Sequence, residues 1–482
     1  MPGRYSLLIR HGTLIDGTRA PRYEADVAVQ GGRIAAIGKL DKARADTEID
    51  ASGRIVAPGF IDAHTHDDRL LLSAPEMAPK ASQGVTTVVA GNCGVSLAPA
   101  PRGMRKPVPP PLDLLDLEGG WFRFPTFAAY VEELRAHPAA TNCALLVGHT
   151  SLRVQTMDDL ERPASSAEIR RMRELADEAL AAGAIGVSTG LYYEPAAAAP
   201  AEEVIEVCRP LAQRNGLYCT HMRDESDRVL DSLEETFRVG RELGVPVVVS
   251  HHKVVGTPNY GRSAQTLPLI ASRMREQKIG LDCYPYCASS TILTASRVGV
   301  ASKVLVTWSK PHPEFAGMEL AEIAKKMGLG IEDAIAKLLP AGAIYFSMDE
   351  KDVQRILAFE QTMIGSDGLP HDAAPHPRLW GTFPRVLGHY ARGLGLFPLE
   401  TAVHKMTGLT AKTFGLAERG VLKEGCAADI TLFDAGTVDE AATFARPIQP
   451  AKGIDAVIVN GAVVWKDGKA TGARPGRVLA RS

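Results

Sequence analysis

The chain has 482 residues, 45% apolar and 23% charged, the balance of a soluble globular protein large enough for more than one folding unit. Fifty-four Lys and Arg face 56 Asp and Glu, and the net charge of -2 gives neither a nucleic acid nor an anionic membrane surface a field to bind. Seven cysteines without a CxxC pair exclude a disulfide framework or zinc-finger, no apolar run reaches the roughly 18 residues of a membrane span, and Met1–Arg10 is too weakly apolar for a signal peptide. A reduced, cytoplasmic enzyme is expected.

The first sixty residues read as short strands at Ser6–Ile9, Ala25–Val29 and Arg33–Ile37, punctuated by the turn dipeptides Asp16-Gly17 and Gly31-Gly32. The same character returns at Asp429–Phe433, Ala456–Val459 and Ala462–Trp465, with Asn460-Gly461 and Asp467-Gly468 as turns. One β-domain assembled from both ends of the chain is expected; two unrelated β-extensions are the alternative.

The middle repeats a strand–helix unit. Candidate strands are Ile55–His66, Val85–Gly94, Cys143–His149, Ala184–Gly190, Leu217–Met222, Val245–Lys253, Ile279–Tyr286 and Thr362–Gly368. Helical patterns lie between them at Ser166–Ala182, Ala201–Asn215, Leu230–Leu243 and Leu267–Gln277. A doubly wound sheet also alternates strands and helices, but it usually has fewer strands and a glycine-rich phosphate fingerprint, absent here. Eight units fit a (β/α)8 barrel. Pro99–Pro111, with six prolines, reads as an irregular loop, and Cys287–Gln361 is too long for one connection. Helical patterns at Glu319–Met327, Ile331–Leu339 and Lys351–Phe359 mark that stretch as an inserted helical subdomain, either a lid and specificity wall or simple decoration. The expected fold is α/β: a TIM-type barrel over 58–417 interrupted by the insertion 287–361, with a small β-sandwich domain from 1–57 and 418–482.

Polar residues collect at the C-terminal ends of these strands, where barrels keep their active sites. The first ends in Asp62-Ala63-His64-Thr65-His66, and alternation along a strand puts His64 and His66 on one face, about 7 Å apart. Cys93 ends the second, between Gly91-Asn92 and Gly94; a lone cysteine is more often inert, but its thiolate is a strong zinc ligand. His221 ends the fifth, and His251 and Lys253 share a face at the end of the sixth, leaving His252 pointing away as a structural residue. Asp367 ends the eighth inside Gly365-Ser366-Asp367-Gly368. His, Cys and carboxylate donors suit zinc rather than magnesium or calcium. Three ligands and an open position would bring the pKa of a bound water to about 7. Asp367 can take that water's proton and return it to a leaving nitrogen. The pattern points to metal-assisted hydrolysis of an amide or ester.

These residues also carry a resemblance. Ala57-Pro58-Gly59-Phe60-Ile61-Asp62-Ala63-His64-Thr65-His66, the late Gly-Ser-Asp-Gly and Ala428-Asp429-Ile430 resemble the amidohydrolase superfamily. Gly91-Asn92-Cys93-Gly94, Ser188-Thr189-Gly190-Leu191-Tyr192-Tyr193, Thr220-His221-Met222-Arg223, Ser250-His251-His252-Lys253 and His376-Pro377-Arg378 are similar to the N-acyl-D-amino-acid deacylases within it. The resemblance implies one tight Zn2+ on Cys93, His221 and His251, and a weaker second site on His64 and His66 with Cys93 and Asp367. The bridging lysine of many superfamily members has no counterpart at Ser188-Thr189-Gly190, so Cys93 would bridge. It implies that Lys253, Tyr284 and Arg378 bind the substrate α-carboxylate, in keeping with a point charge, a neutral donor and a bidentate fork. Arg297, beyond Ala288-Ser289-Ser290-Thr291, resembles the residue that reads an acidic side chain in the D-glutamate-preferring members, with Ser290 a further substrate contact. A small-molecule N-acyl-D-glutamate substrate follows; the D configuration rests on the resemblance alone. The competing readings are an amidohydrolase that opens a cyclic amide and a non-catalytic scaffold. The anion-binding trio speaks against the first and the complete ligand set against the second. His149, at the end of the third strand, is expected to line the pocket or support another side chain, and His371 and His376 to shape the loop after Asp367. The oligomeric state is not legible.

Overall fold

The computed structural model describes residues 4–100, 104 and 106–482. Met1–Gly3 and, within the predicted proline loop, Pro101, Arg102, Gly103 and Arg105 lie outside the described residues.

Eight parallel strands form the barrel: β1 (Phe60–Asp62), β2 (Val85–Ala90), β3 (Asn142–Gly148), β4 (Gly186–Gly190), β5 (Leu217–His221), β6 (Val247–Val249), β7 (Ile279–Cys283) and β8 (Thr362–Ile364). They hydrogen-bond in sequence order from β1 to β8. Closure between β8 and β1 is made by Ala63 N–H to Ile364 O at 3.1 Å and Asp367 N–H to His64 O at 2.8 Å. The seam of the barrel is therefore also where the segment carrying His64 and His66 meets the one carrying Asp367. Ile61, Val89, Leu146, Leu217, Val248 and Met363 fill the interior with buried apolar side chains. That packing plugs the barrel below the mouth and confines polar chemistry to its C-terminal end.

The predicted first strand, Ile55–His66, is two strands. Ile55–Pro58 pairs with Ile430–Phe433 in the terminal sheet, and only Phe60–Asp62 enters the barrel. Gly59 stands at the break, where a β-carbon would lie 2.2 Å from the Thr86 side chain. The barrel strands stop short of most of the predicted ligands, so His64, His66, His251 and Asp367 sit on the loops that follow rather than on strands. His149 begins the helix His149–Thr156 instead of ending a strand.

Strands from both ends of the chain join one nine-stranded sheet that contains Tyr5–Leu14, Tyr23–Gln30, Arg33–Gly38, Ile55–Pro58, Ile430–Phe433 and Ile454–Val459. Its hairpins fall at the expected dipeptides: Asn460 and Gly461 both take positive φ, as a tight turn between Val459 and Ala462 demands. The helix Ser166–Ala181 begins at a capping box, in which Ser165 and Glu168 satisfy each other's backbone donors. The predicted helix Ala201–Asn215 is interrupted at Pro210, which cannot donate to the preceding turn.

The insertion holds more than helices. Ala288–Ile292, Lys303–Ser309 and Ala341–Phe346 form a three-stranded antiparallel sheet, covered by Leu320–Met327 and Ile331–Leu338. Val304, Val306, Ile323, Ile335, Leu338 and Tyr345 make it a small core of its own. Glu350–Ala358 packs instead against the barrel helix Ser263–Arg273.

Candidate active site

Cys93 is the hub. Its Sγ lies 3.3 Å from Nε2 of His64 and 3.3 Å from Nε2 of His251. His221 is stacked edge-on to His251, ring centroids 4.4 Å apart, and neither of its ring nitrogens makes a hydrogen bond. His66 Nε2 lies 3.2 Å and His64 Nε2 3.6 Å from Oδ1 of Asp367. Cys93, His221 and His251 form one set with all ligand atoms within 4.8 Å of each other; His64, His66, Cys93 and Asp367 form a second, sharing the sulfur. Corners of a zinc tetrahedron with bonds near 2.1–2.3 Å lie about 3.5 Å apart, so the spacing around Cys93 fits zinc, and the buried unpartnered nitrogens of His221 fit a missing ligand bond.

The backbone is bent to bring these groups together. Cys93, His251 and Asp367 have φ of 53°, 36° and 48°, a left-handed conformation costly for residues with a β-carbon. Glycines give them room: a β-carbon on Gly190 would meet Cys93 O at 2.2 Å, and one on Gly365 would meet the His64 side chain at 2.6 Å.

Charge in the site is tightly arranged. Burial pushes the Cys93 thiol up, but His64 and His251 reverse this and hold it well below the usual thiol range, so it is a thiolate. Burial also opposes ionisation of Asp367, yet Arg378, 2.9 Å from its Oδ2, and the surrounding imidazoles keep it ionised. Burial pushes His221 well down and Glu225 cannot offset it, leaving a neutral imidazole with a free lone pair.

Lys253, Ser290, Arg297 and Asp367 line one cavity with His66, His221 and His251. Lys253 Nζ is 2.7 Å from Glu225 Oε1 and 5.7 Å from the Tyr284 ring centre, and the Arg378 guanidinium lies 4.5 Å from that ring centre and donates from Nη2 to Ser290 O at 3.2 Å. The Tyr284 hydroxyl is buried without a partner. Arg297 is buried, lies 4.1 Å over the Tyr192 ring and donates from Nε to the Tyr192 hydroxyl at 3.0 Å; it has no carboxylate partner among the described residues. His149 lies away from this cluster, 3.3 Å from Glu203, and His252 bonds Thr266 at 2.8 Å. His376 accepts the Arg378 backbone N–H at 2.9 Å and lies 3.0 Å from Ala288 O, tying the loop after Asp367 to the insertion.

Sequence reasoning missed three supporting groups. Glu225 sits under both histidines, 3.1 Å from His251 Nδ1 and 3.6 Å from His221 Nε2. Asp282 accepts from the His251 backbone N–H at 2.9 Å and lies 3.6 Å from His64 Nδ1. Lys80 bonds Asp62 and Ser366, each at 2.8 Å. None stands in a pattern that distinguishes it from an ordinary charged residue.

A parallel barrel with a Cys/His/Asp ligand cluster at its C-terminal mouth defines a metal-dependent hydrolase of the barrel class. Residues 47–323 and 352–465 match the amidohydrolase family, and the chain belongs to it, in the branch of the N-acyl-D-amino-acid deacylases. Its relatives from Alcaligenes xylosoxydans xylosoxydans include a D-aminoacylase, 60% identical over 99% of this chain and 98% of that one, and an N-acyl-D-aspartate deacylase, 53% identical over 99% and 96%. An N-acyl-D-glutamate deacylase of the same organism is 46% identical over 100% and 98%. Among solved structures, a D-aminoacylase with a binuclear metal centre superposes with a TM-score of 0.96 at 59% identity, over 99% of this chain and 100% of that one. The Bordetella bronchiseptica N-acyl-D-glutamate deacylase, complexed with zinc and a phosphonate inhibitor, gives 0.95 at 47% identity over the same shares. No described helix is long and apolar enough to cross a membrane.

Proposed function

We propose that the protein is a zinc-dependent deacylase that hydrolyses the amide of N-acyl-D-amino acids to a carboxylate and a free D-amino acid, with N-acyl-D-glutamate preferred. The D configuration rests on the relatives. The acidic preference rests on one observation: Arg297 is a buried guanidinium at the wall of the reaction cavity with no carboxylate partner among the described residues. A buried charge without a partner is costly, and a substrate carboxylate would supply the partner.

Zinc held by Cys93, His221 and His251 would supply Lewis acidity at the acyl carbonyl; His64, His66 and Asp367, with Cys93, are suited to a second, weaker ion. Lys253, Tyr284 and Arg378 hold the α-carboxylate, Tyr284 through its free hydroxyl, with Ser290 beside them. Asp367 takes a proton from the attacking water as the acyl carbon becomes tetrahedral. It then gives that proton to the amide nitrogen as the C–N bond breaks.

Overall identity is higher to the D-aminoacylase than to the N-acyl-D-glutamate deacylase, so a deacylase without preference for an acidic side chain is the second reading. Values of kcat/KM for N-acetyl-D-glutamate, D-aspartate, D-leucine and D-methionine, with wild type and Arg297→Met, separate the two. A charge-assisted pair contributes about 1.5–3 kcal/mol, so Arg297→Met should cost D-glutamate about 10- to 100-fold and spare D-leucine. An unchanged preference removes the assignment.

A further inference from the structure

A cleft beside the barrel lies at the end opposite the active site, where β6 and β7 begin at Val247 and Ile279. It has a volume of about 750 Å³, within the range of small-molecule sites. Arg275, Lys278, Lys412 and Arg481 line it, and none of the four has a carboxylate partner among the described residues. Glu276, the one acid in the wall, is 3.5 Å from Arg273 Nη1 and so is already engaged.

Two further features point to a ligand. Arg481 is half-buried; its Nη1 donates to Thr413 O at 3.1 Å, while its Nε is buried with nothing to bond. Both amide atoms of Gln277, in the same wall, are buried and without a hydrogen-bond partner among the described residues. Buried polar groups are nearly always satisfied, so this cleft holds more hydrogen-bonding capacity than the protein itself uses. The segment that carries Arg481 is anchored, since Val478–Leu479 pairs with Cys143–Ala144 and Ser482 N–H bonds Gly415 O at 3.0 Å. Met274, Val247 and Leu409 add an apolar floor.

We propose that this cleft binds a small phosphate-bearing anion with an apolar body, the phosphate held by Arg481, Lys278, Lys412 and Arg275 and the apolar part resting on Met274, Val247 and Leu409. Four cations in one cleft exceed what a monocarboxylate can neutralise and suit a dianion, and the guanidinium fork matches phosphate geometry. The site is separate from the reaction cavity, and it stands or falls independently of the substrate assignment.

Phenyl phosphate, a dianion with an aromatic body, is the probe. Isothermal titration of the zinc-loaded protein in low salt should give saturable binding at about 1 mM or tighter. Lys278→Glu with Lys412→Glu, both exposed positions, should weaken it at least about ten-fold and leave kcat and KM unchanged. Arg481→Ala should weaken it as well. Absence of binding, equal affinity in the charge-reversed variant, or competitive displacement by an N-acyl-D-amino acid would each overturn the proposal.

Discussion

Lys80 carries a load that its place in a short helix does not advertise. It is fully buried, 2.8 Å from Asp62 Oδ2, 3.4 Å from Asp67 Oδ2 and 2.8 Å from Ser366 Oγ. Asp62 in turn accepts the Ser366 N–H at 2.8 Å and the His64 N–H at 3.3 Å. One ammonium and one carboxylate thus join the segment that carries His64 and His66 to the one that carries Asp367. Lys80→Met keeps the volume and leaves two buried carboxylates facing each other. Breaking a buried pair costs about 3–5 kcal/mol, and two acids lose their partner here, so the upper part of that range is expected. Burial already pushes Asp67 up, opposed by Lys80 and reinforced by Asp62. Without Lys80 its folded pKa rises further. A raised carboxyl pKa penalises the folded state increasingly as pH rises, so the deficit should be larger at pH 8 than at pH 5.5. Urea unfolding followed by near-UV circular dichroism at both pH values measures it, and Asp67→Asn should restore part of the loss. A loss under about 1 kcal/mol that does not vary with pH would refute the reasoning.

The Asp113 and Asp372 carboxyls are buried, each with an unpartnered oxygen, and burial pushes both up to about 7, with the charge of Asp372 adding to the shift of Asp113. Their folded pKa exceeds the unfolded value, so they cost stability as pH rises from about 4 to about 7; Asp113→Asn should raise the free energy of unfolding in urea by up to about 4 kcal/mol at pH 8 and by roughly half that at pH 5.5. A gain that is larger at the lower pH would contradict this. Glu225→Gln removes the carboxylate behind His251 and His221 and should weaken zinc retention about 10- to 100-fold against a chelator while the fold persists by circular dichroism. Asp367→Asn should retain zinc and substrate affinity and lose most of the turnover; retained kcat would exclude Asp367 as the base.

What could be read from sequence was whatever sits at the end of an apolar run. His64, His66, Cys93, His221, His251 and Asp367 each follow buried, β-branched stretches such as Val85–Ala90, and a barrel brings the ends of such runs to one mouth. Supporting residues obey no such rule. Glu225 and Asp282 reach the ligands by geometry alone, and Lys80 bonds Ser366 from 286 residues away in sequence. The boundary errors are local: the first predicted strand divides at Gly59 between the terminal sheet and the barrel, and left-handed turns at Cys93, His251 and Asp367 follow strands that end at Ala90, Val249 and Ile364. The insertion's sheet went unread because Ala288–Ile292 is rich in serine and threonine, although the apolar run Val304-Leu305-Val306 within Lys303–Ser309 did carry a strand signal.

The proposed deacylase depends on one sulfur and two imidazoles, from distant parts of the chain, holding the tight zinc. Zinc content of the purified protein after dialysis against a chelator tests it most directly, for wild type, Cys93→Ala and His66→Ala, each checked for native circular dichroism. Wild type and His66→Ala should keep about one zinc per chain and Cys93→Ala should keep none. Full zinc retention in a folded Cys93→Ala would contradict the account.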